Sequence, residues 1–167
     1  YSTSLLAQDE YGRAERLFNE ARFDSAAQLY LNIFNAESPK NPSTYLALSR
    51  SLYEVKDFGR LALVAEKYRV DSEDPLGYID QYWALLNRGK TKKADNLWKE
   101  IMAYSMSSTE VNCSRLMQRL IRYGAFNQAK IVFFQFAPAI HSASQNFVEQ
   151  YLELYFLEDS MDKALSL

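Results

Sequence analysis

The chain has little of what most functional sites are built from: one cysteine, one histidine, five glycines and four prolines in 167 residues. A single cysteine forms no bridge within the chain, so cysteine usage assigns no redox compartment. The one histidine, His141, has no second histidine or neighbouring cysteine for a metal site, and its expected role is structural or exposed. An excess of one charge is missing too. Lys and Arg total 19 against 21 Asp and Glu, a net charge of -2 with a pI of about 5.5, unlike the basic balance of nucleic-acid binders. No apolar run approaches the roughly 20 residues that span a bilayer. Walker, G-x-G-x-x-G, H-E-x-x-H and G-x-S-x-G strings are all absent. Acidic residues such as Glu10 and Glu15 are scattered over solvated faces. We therefore expect no catalytic centre, no metal and no cofactor.

What is present is a large apolar and aromatic content, 48% and 14%, and a string that recurs. It reads Arg22-Phe23-Asp24-Ser25-Ala26, then Lys56-Asp57-Phe58-Gly59-Arg60-Leu61. Further copies are Gly89-Lys90-Thr91-Lys92-Lys93-Ala94, Gly124-Ala125-Phe126-Asn127-Gln128-Ala129 and Asp159-Ser160-Met161-Asp162-Lys163-Ala164. The final residues of the five strings lie 35, 33, 35 and 35 positions apart. A period near 34 belongs to helix–turn–helix repeats.

Apolar residues three and four apart flank each string. Before it stand Tyr45, Leu48 and Leu52, or Leu116 and Leu120; after it Ala94, Leu97, Trp98 and Ile101, or Ala129, Val132, Phe133 and Phe136. This spacing predicts paired helices over 9–20 and 24–36, 42–55 and 57–70, 75–88 and 90–104, 109–123 and 125–137, and 144–158 and 160–167. Pro39, Pro42, Pro75 and Pro138 fall between units, where proline suits a helix start. Asp74-Pro75 reads as an N-cap with proline at the first helical position, and Ser107 with Glu110 as a capping box. Gly89 and Gly124 mark turns that need positive φ.

On these residues the chain resembles the tetratricopeptide repeat family. Unit one matches with Ala14, Leu17, Phe23, Ala26, Tyr30 and Pro39, and unit four with Leu116, Leu120, Gly124, Phe126, Ala129 and Phe133. Leu61, Tyr82 and Met117 depart from small residues the family prefers. The resemblance implies an all-α, right-handed superhelical solenoid of stacked antiparallel helix hairpins. Its units would cover 9–38, 42–74, 75–107, 108–141 and 142–167, the last cut short, within one domain. Because the chain begins at Tyr1, we expect a piece of a larger protein. Ser4-Leu5-Leu6-Ala7-Gln8 reads both as the tail of a signal peptide and as a helix start, so cytoplasmic and bacterial envelope locations stay open.

The resemblance also implies a function: binding a protein partner's segment in a concave groove lined by the first helix of each unit. The groove residues would include Tyr11, Glu15, Phe18 and Asn19; Leu46, Arg50, Tyr53 and Glu54; Ile79, Trp83, Leu86 and Asn87. They continue with Ser114, Gln118, Ile121 and Arg122, then Glu149, Glu153, Phe156 and Leu157. Packing of these aromatics on one another is the competing reading. The lysine and asparagine clamp by which family co-chaperones hold a terminal carboxylate has Tyr11, Glu15, Leu46 and Arg50 in its place. Pentatricopeptide-like binding of single-stranded RNA and self-association through an open C-terminal end are the alternatives. The stripe Arg115, Arg119 and Arg122 is expected to pair with Glu149 and Glu153, the basic turn Arg88 to Lys93 to be solvated, and Cys113 to lie in the core.

Overall fold

The computed structural model describes residues 2–72, 74–137 and 144–165, with side chains over 9–157 of that range. All regular structure among the described residues is α-helical, as the periodicity predicts. In chain order the helices are α1 (Ser2–Asn19), α2 (Phe23–Ala36), α3 (Pro42–Glu54), α4 (Phe58–Ser72) and α5 (Leu76–Asn87), then α6 (Thr91–Ser107), α7 (Glu110–Arg122), α8 (Phe126–Phe136) and α9 (Gln145–Leu165). The chain divides into two compact units, Tyr1–Thr91 and Lys92–Leu167.

Helix starts follow from capping chemistry. Asn41 accepts from the Ser43 amide at 2.8 Å, with Pro42 in the first turn of α3. Asp57 accepts from the Arg60 amide at 2.9 Å ahead of α4, and Asp74 from the Leu76 amide at 2.9 Å ahead of α5. Each carboxylate or amide oxygen satisfies an amide that has no partner inside the helix. The expected capping box does not form. Thr109 caps α7 by accepting from the Asn112 amide, while the Ser107 hydroxyl donates back to Ala103 and Tyr104 carbonyls of α6.

Four helix ends share one geometry. Ala21, Lys56, Gly89 and Gly124 have φ of 58°, 57°, 67° and 71°. The residue after each donates its amide to a leucine carbonyl at 2.9 Å: Arg22 to Leu17, Asp57 to Leu52, Lys90 to Leu85, and Ala125 to Leu120. This is the Schellman closure, in which a left-handed residue lets the chain turn back over the last helical carbonyls. The four positions are 35, 33 and 35 residues apart, the same intervals as the recurring string.

In the first unit, neighbouring helices pack through Ala14, Ala26, Tyr30, Phe34, Tyr45, Leu48, Leu52, Leu61, Ala65 and Tyr68, all buried. Tyr45 and Tyr68 stack at 3.7 Å. Their hydroxyls donate to Asp80 at 2.6 Å and Asp74 at 3.0 Å, so these buried rings keep polar partners. Gly77 lets α5 touch α4: a Cβ there would stand 3.0 Å from the Ala65 carbonyl oxygen. Lys40 is buried, and its ammonium donates to the carbonyls of Phe34 at 2.7 Å and Glu37 at 2.5 Å, closing the C-terminus of α2. Burial, then the Lys67 charge, lowers its pKa.

In the second unit, Phe133 of α8 stacks on Phe147 and Tyr151 of α9 at 4.9 and 4.4 Å. Cys113, Leu116, Met117 and Leu120 of α7 are buried. The Cys113 thiol donates to the Ser105 carbonyl at 3.5 Å, and the Asn112 amide to the Tyr104 hydroxyl at 2.9 Å, joining α7 to α6.

Most helix boundaries fall within three residues of expectation, and two differ by more. Helix α1 begins at Ser2 rather than at residue 9. Helix α9 runs unbroken through Asp159, where a turn was expected between helices 144–158 and 160–167. Nothing from Leu157 to Ala164 is glycine or proline, so no residue there favours a stop. His141 and Pro138 lie outside the described residues, as do the side chains of the fifth recurring string and of Ser4–Gln8.

Candidate functional site

The first helices and turns of the first unit bring six of the expected groove residues around one concavity of about 340 Å³. Helix α1 supplies Tyr11, Glu15, Phe18 and Asn19, and α3 supplies Leu46 and Arg50; Tyr30 of α2 lines the wall between them, with Ser43 and Ala47 also from α3. The geometry comes from helical spacing. Tyr11, Glu15 and Phe18 stand four and three apart, as do Ser43, Leu46 and Arg50 three and four apart, so each set forms one stripe. Neighbouring stripes leave a trough because the buried residues behind them are small: Ala14 of α1 and Ala26 of α2 have no exposed surface.

The concavity is amphipathic. Tyr11 meets Tyr30 edge-on at 5.3 Å, and Phe18 meets Phe23 edge-on at 5.0 Å. The Arg50 guanidinium sits 5.1 Å from the Phe18 ring centre, within cation–π range. Burial first, and then the Tyr11 hydroxyl and the Glu15 carboxylate, push the Tyr30 phenol up to about 12, opposed by Arg50. The Tyr11 phenol is raised by burial first and then by Glu15 and Glu37. Glu15 and Arg50 thus place opposite charges on facing walls of one small trough.

The other expected groove residues are distributed differently. Tyr53 is half-buried, edge-on to Phe58 at 6.4 Å. Trp83 and Leu86 are half-buried on α5. Ile79 is fully buried and presents no surface to a ligand, which corrects its placement in the groove. The reason is that α5 buries Leu76, Gly77, Ile79, Asp80, Gln81, Tyr82, Ala84 and Leu85 and so is enclosed on most of its faces. Its sequence holds a single charged residue, Asp80, and a helix so poor in charge signals burial all round.

In the second unit, Ser114, Arg115 and Gln118 of α7 face Asn146, Phe147 and Gln150 across about 230 Å³. The Ser114 hydroxyl donates to Gln150 at 2.6 Å. Arg122 is exposed. Arg119 is buried, with its guanidinium 5.4 Å from the Tyr123 ring centre, so the stripe Arg115, Arg119 and Arg122 is not a solvent-facing set. Glu149 accepts from Gln145 at 2.8 Å. It shares an exposed face of α9 with Leu152, Glu153, Phe156 and Leu157, of which Phe156 is 69% exposed. Cys113 is buried, and burial, then Glu110, pushes its thiol up to about 11.

Sequence reasoning missed Tyr30, Ser43 and Ala47 as lining residues. Tyr30 belongs to a second helix and its apolar stripe reads only as core, although a tyrosine hydroxyl commonly stays near a polar boundary. No group of three or more His, Cys, Asp or Glu that could hold a metal occurs among the described residues, and no helix there is long and apolar enough to cross a membrane. A scan against protein-family models finds no match, and a search of curated proteins finds no relative.

Proposed function

We propose that this protein is an interaction scaffold, built of tetratricopeptide-like hairpins, that holds a segment of a partner protein on the surface of its first helices. The observation that carries the reading is the convergence of Tyr11, Phe18, Leu46 and Arg50 on one open concavity between α1 and α3. Aromatic residues and arginine around a partly desolvated pocket are what protein interfaces favour. The fourfold Schellman turn supports a repeated architecture, because one closure at one interval gives each hairpin a similar frame. Leu46→Glu places a charge in the trough at a half-buried site and is expected to abolish partner capture. Leu63→Glu, on the outer face of α4 where Leu63 is 65% exposed, is the matched control. Equal capture by both variants, with both folded by circular dichroism, rejects the groove.

The apolar face of α9 favours self-association as a second reading. Leu152, Tyr155 and Phe156 are 46%, 55% and 69% exposed, more apolar surface than one helix usually leaves to water. Sedimentation at several concentrations tests it, and a strict monomer throughout rejects it.

A further inference from the structure

We infer that the trough between α1 and α3 selects a segment carrying one side-chain carboxylate beside an apolar or aromatic residue, with Arg50 as the residue that reads the acid. The inference rests on the groove reading above and names the chemistry of its occupant.

The arginines whose contacts define a role are already engaged. Arg60 is tied to Asp57 at 2.5 Å and faces Asp24 at 3.5 Å. Arg22 pairs with Glu20 at 3.7 Å. Arg69 lies over the Tyr78 ring, and Arg119 is buried over Tyr123. Arg50 differs: it is exposed and held over Phe18, and among the described residues no carboxylate and no hydrogen-bond acceptor meets its guanidinium. The ring restricts the side chain while its N–H donors stay open. A planar guanidinium fixed in this way is prepared for bidentate contact with a carboxylate.

The surrounding surface sets the rest of the motif. Tyr11, Phe18 and Leu46 are half-buried and line the same trough, so they offer an apolar residue a place beside the acid. Glu15 lines that trough too, and its charge is felt by Tyr11 and Tyr30. A run of acids would meet Glu15 as well as Arg50. The favoured occupant therefore has a single carboxylate, with a neutral or cationic neighbour on the Glu15 side.

The test is selection from a displayed random-peptide library on the full chain, followed by affinities for an enriched peptide. That peptide is compared with its version neutralised at the acid (Asp→Asn or Glu→Gln) and its C-terminally amidated version. Each is measured against wild type, Arg50→Gln, Arg50→Lys and Leu46→Glu, all checked for folding by circular dichroism. The expected result is an enriched pair of one acid with an adjacent apolar or aromatic residue. Neutralising the acid or making Arg50→Gln should each weaken binding about ten- to hundredfold, as for a charge-assisted hydrogen bond. The two changes together should cost little more than either alone, and Arg50→Lys should recover part of the loss. Peptides that lose affinity with Leu46→Glu but not with Arg50→Gln overturn the inference and leave the groove reading intact. Loss of binding on amidation alone also overturns it, because the terminal carboxylate would then be the recognised group. Peptides indifferent to Leu46→Glu, or no enrichment, overturn both.

Discussion

Substitution at the four left-handed turn positions should divide by residue type and not by location. Ala21 and Lys56 hold φ of 58° and 57°, while Gly89 and Gly124 hold 67° and 71°. A residue with a Cβ pays about 1–2 kcal/mol for this conformation, whereas glycine is free there but orders more chain on folding, by about 0.4–1 kcal/mol. The difference predicts that Ala21→Gly stabilises the protein by about 0.5–1 kcal/mol. Lys56→Gly should gain less, because it removes a cation from a helix C-terminus worth a few tenths of a kcal/mol. Gly89→Ala and Gly124→Ala should each destabilise by about 1 kcal/mol. A Cβ at either glycine meets nothing within 4 Å, so clash does not confuse the result. Urea unfolding with unchanged m-value is the assay. A neutral Gly89→Ala and Gly124→Ala pair, or a destabilising Ala21→Gly, would refute the shared turn.

Three further outcomes follow from other sites. Asp57→Ala removes the oxygen that caps α4 and is expected to cost about 1–2 kcal/mol in urea unfolding, whereas Asp24→Ala, whose side chain is 79% exposed beside Arg60, should stay within about 1 kcal/mol. The Tyr30 phenol is raised to about 12 from an ordinary 10.0. Its contribution is therefore complete below pH 10 and declines as pH rises toward 12, by about 1.4 kcal/mol per pH unit; Tyr30→Phe should show a shallower alkaline loss of stability. The Cys113 thiol, buried and raised to about 11, should react with a disulfide reagent at neutral pH only at the rate of unfolding, and fast modification of the native chain would place it at the surface.

Much of this fold can be read from the order of residues, and the failures have physical causes. Helix pairs around the recurring string are legible because Ala26, Leu61, Ala94 and Ala129 sit at one place in the period, and all four are buried. Gly89 and Gly124 announce their turns, since glycine takes positive φ without strain. Ala21 and Lys56 do not, because neither residue type prefers that conformation and tertiary packing imposes it. Ser107 and Thr109 are chemically near-equivalent caps, so spacing alone could not choose between them. The buried Lys40 is invisible to a pattern that assigns lysine to solvent; only the carbonyls of Phe34 and Glu37 explain it. At the trough, the residues implied by the family resemblance include Tyr11, Phe18, Leu46 and Arg50, which line one concavity. The resemblance fails at Ile79 because the position within the period does not say how completely a helix is enclosed.

The groove itself is most directly tested by amide chemical shifts of the isotope-labelled chain as a peptide selected on it is titrated in. Perturbations confined to α1 and α3, centred on Tyr11, Phe18, Leu46 and Arg50, are the predicted result. Shifts centred instead on Leu63 and Val70, at the outer face of α4, would contradict it.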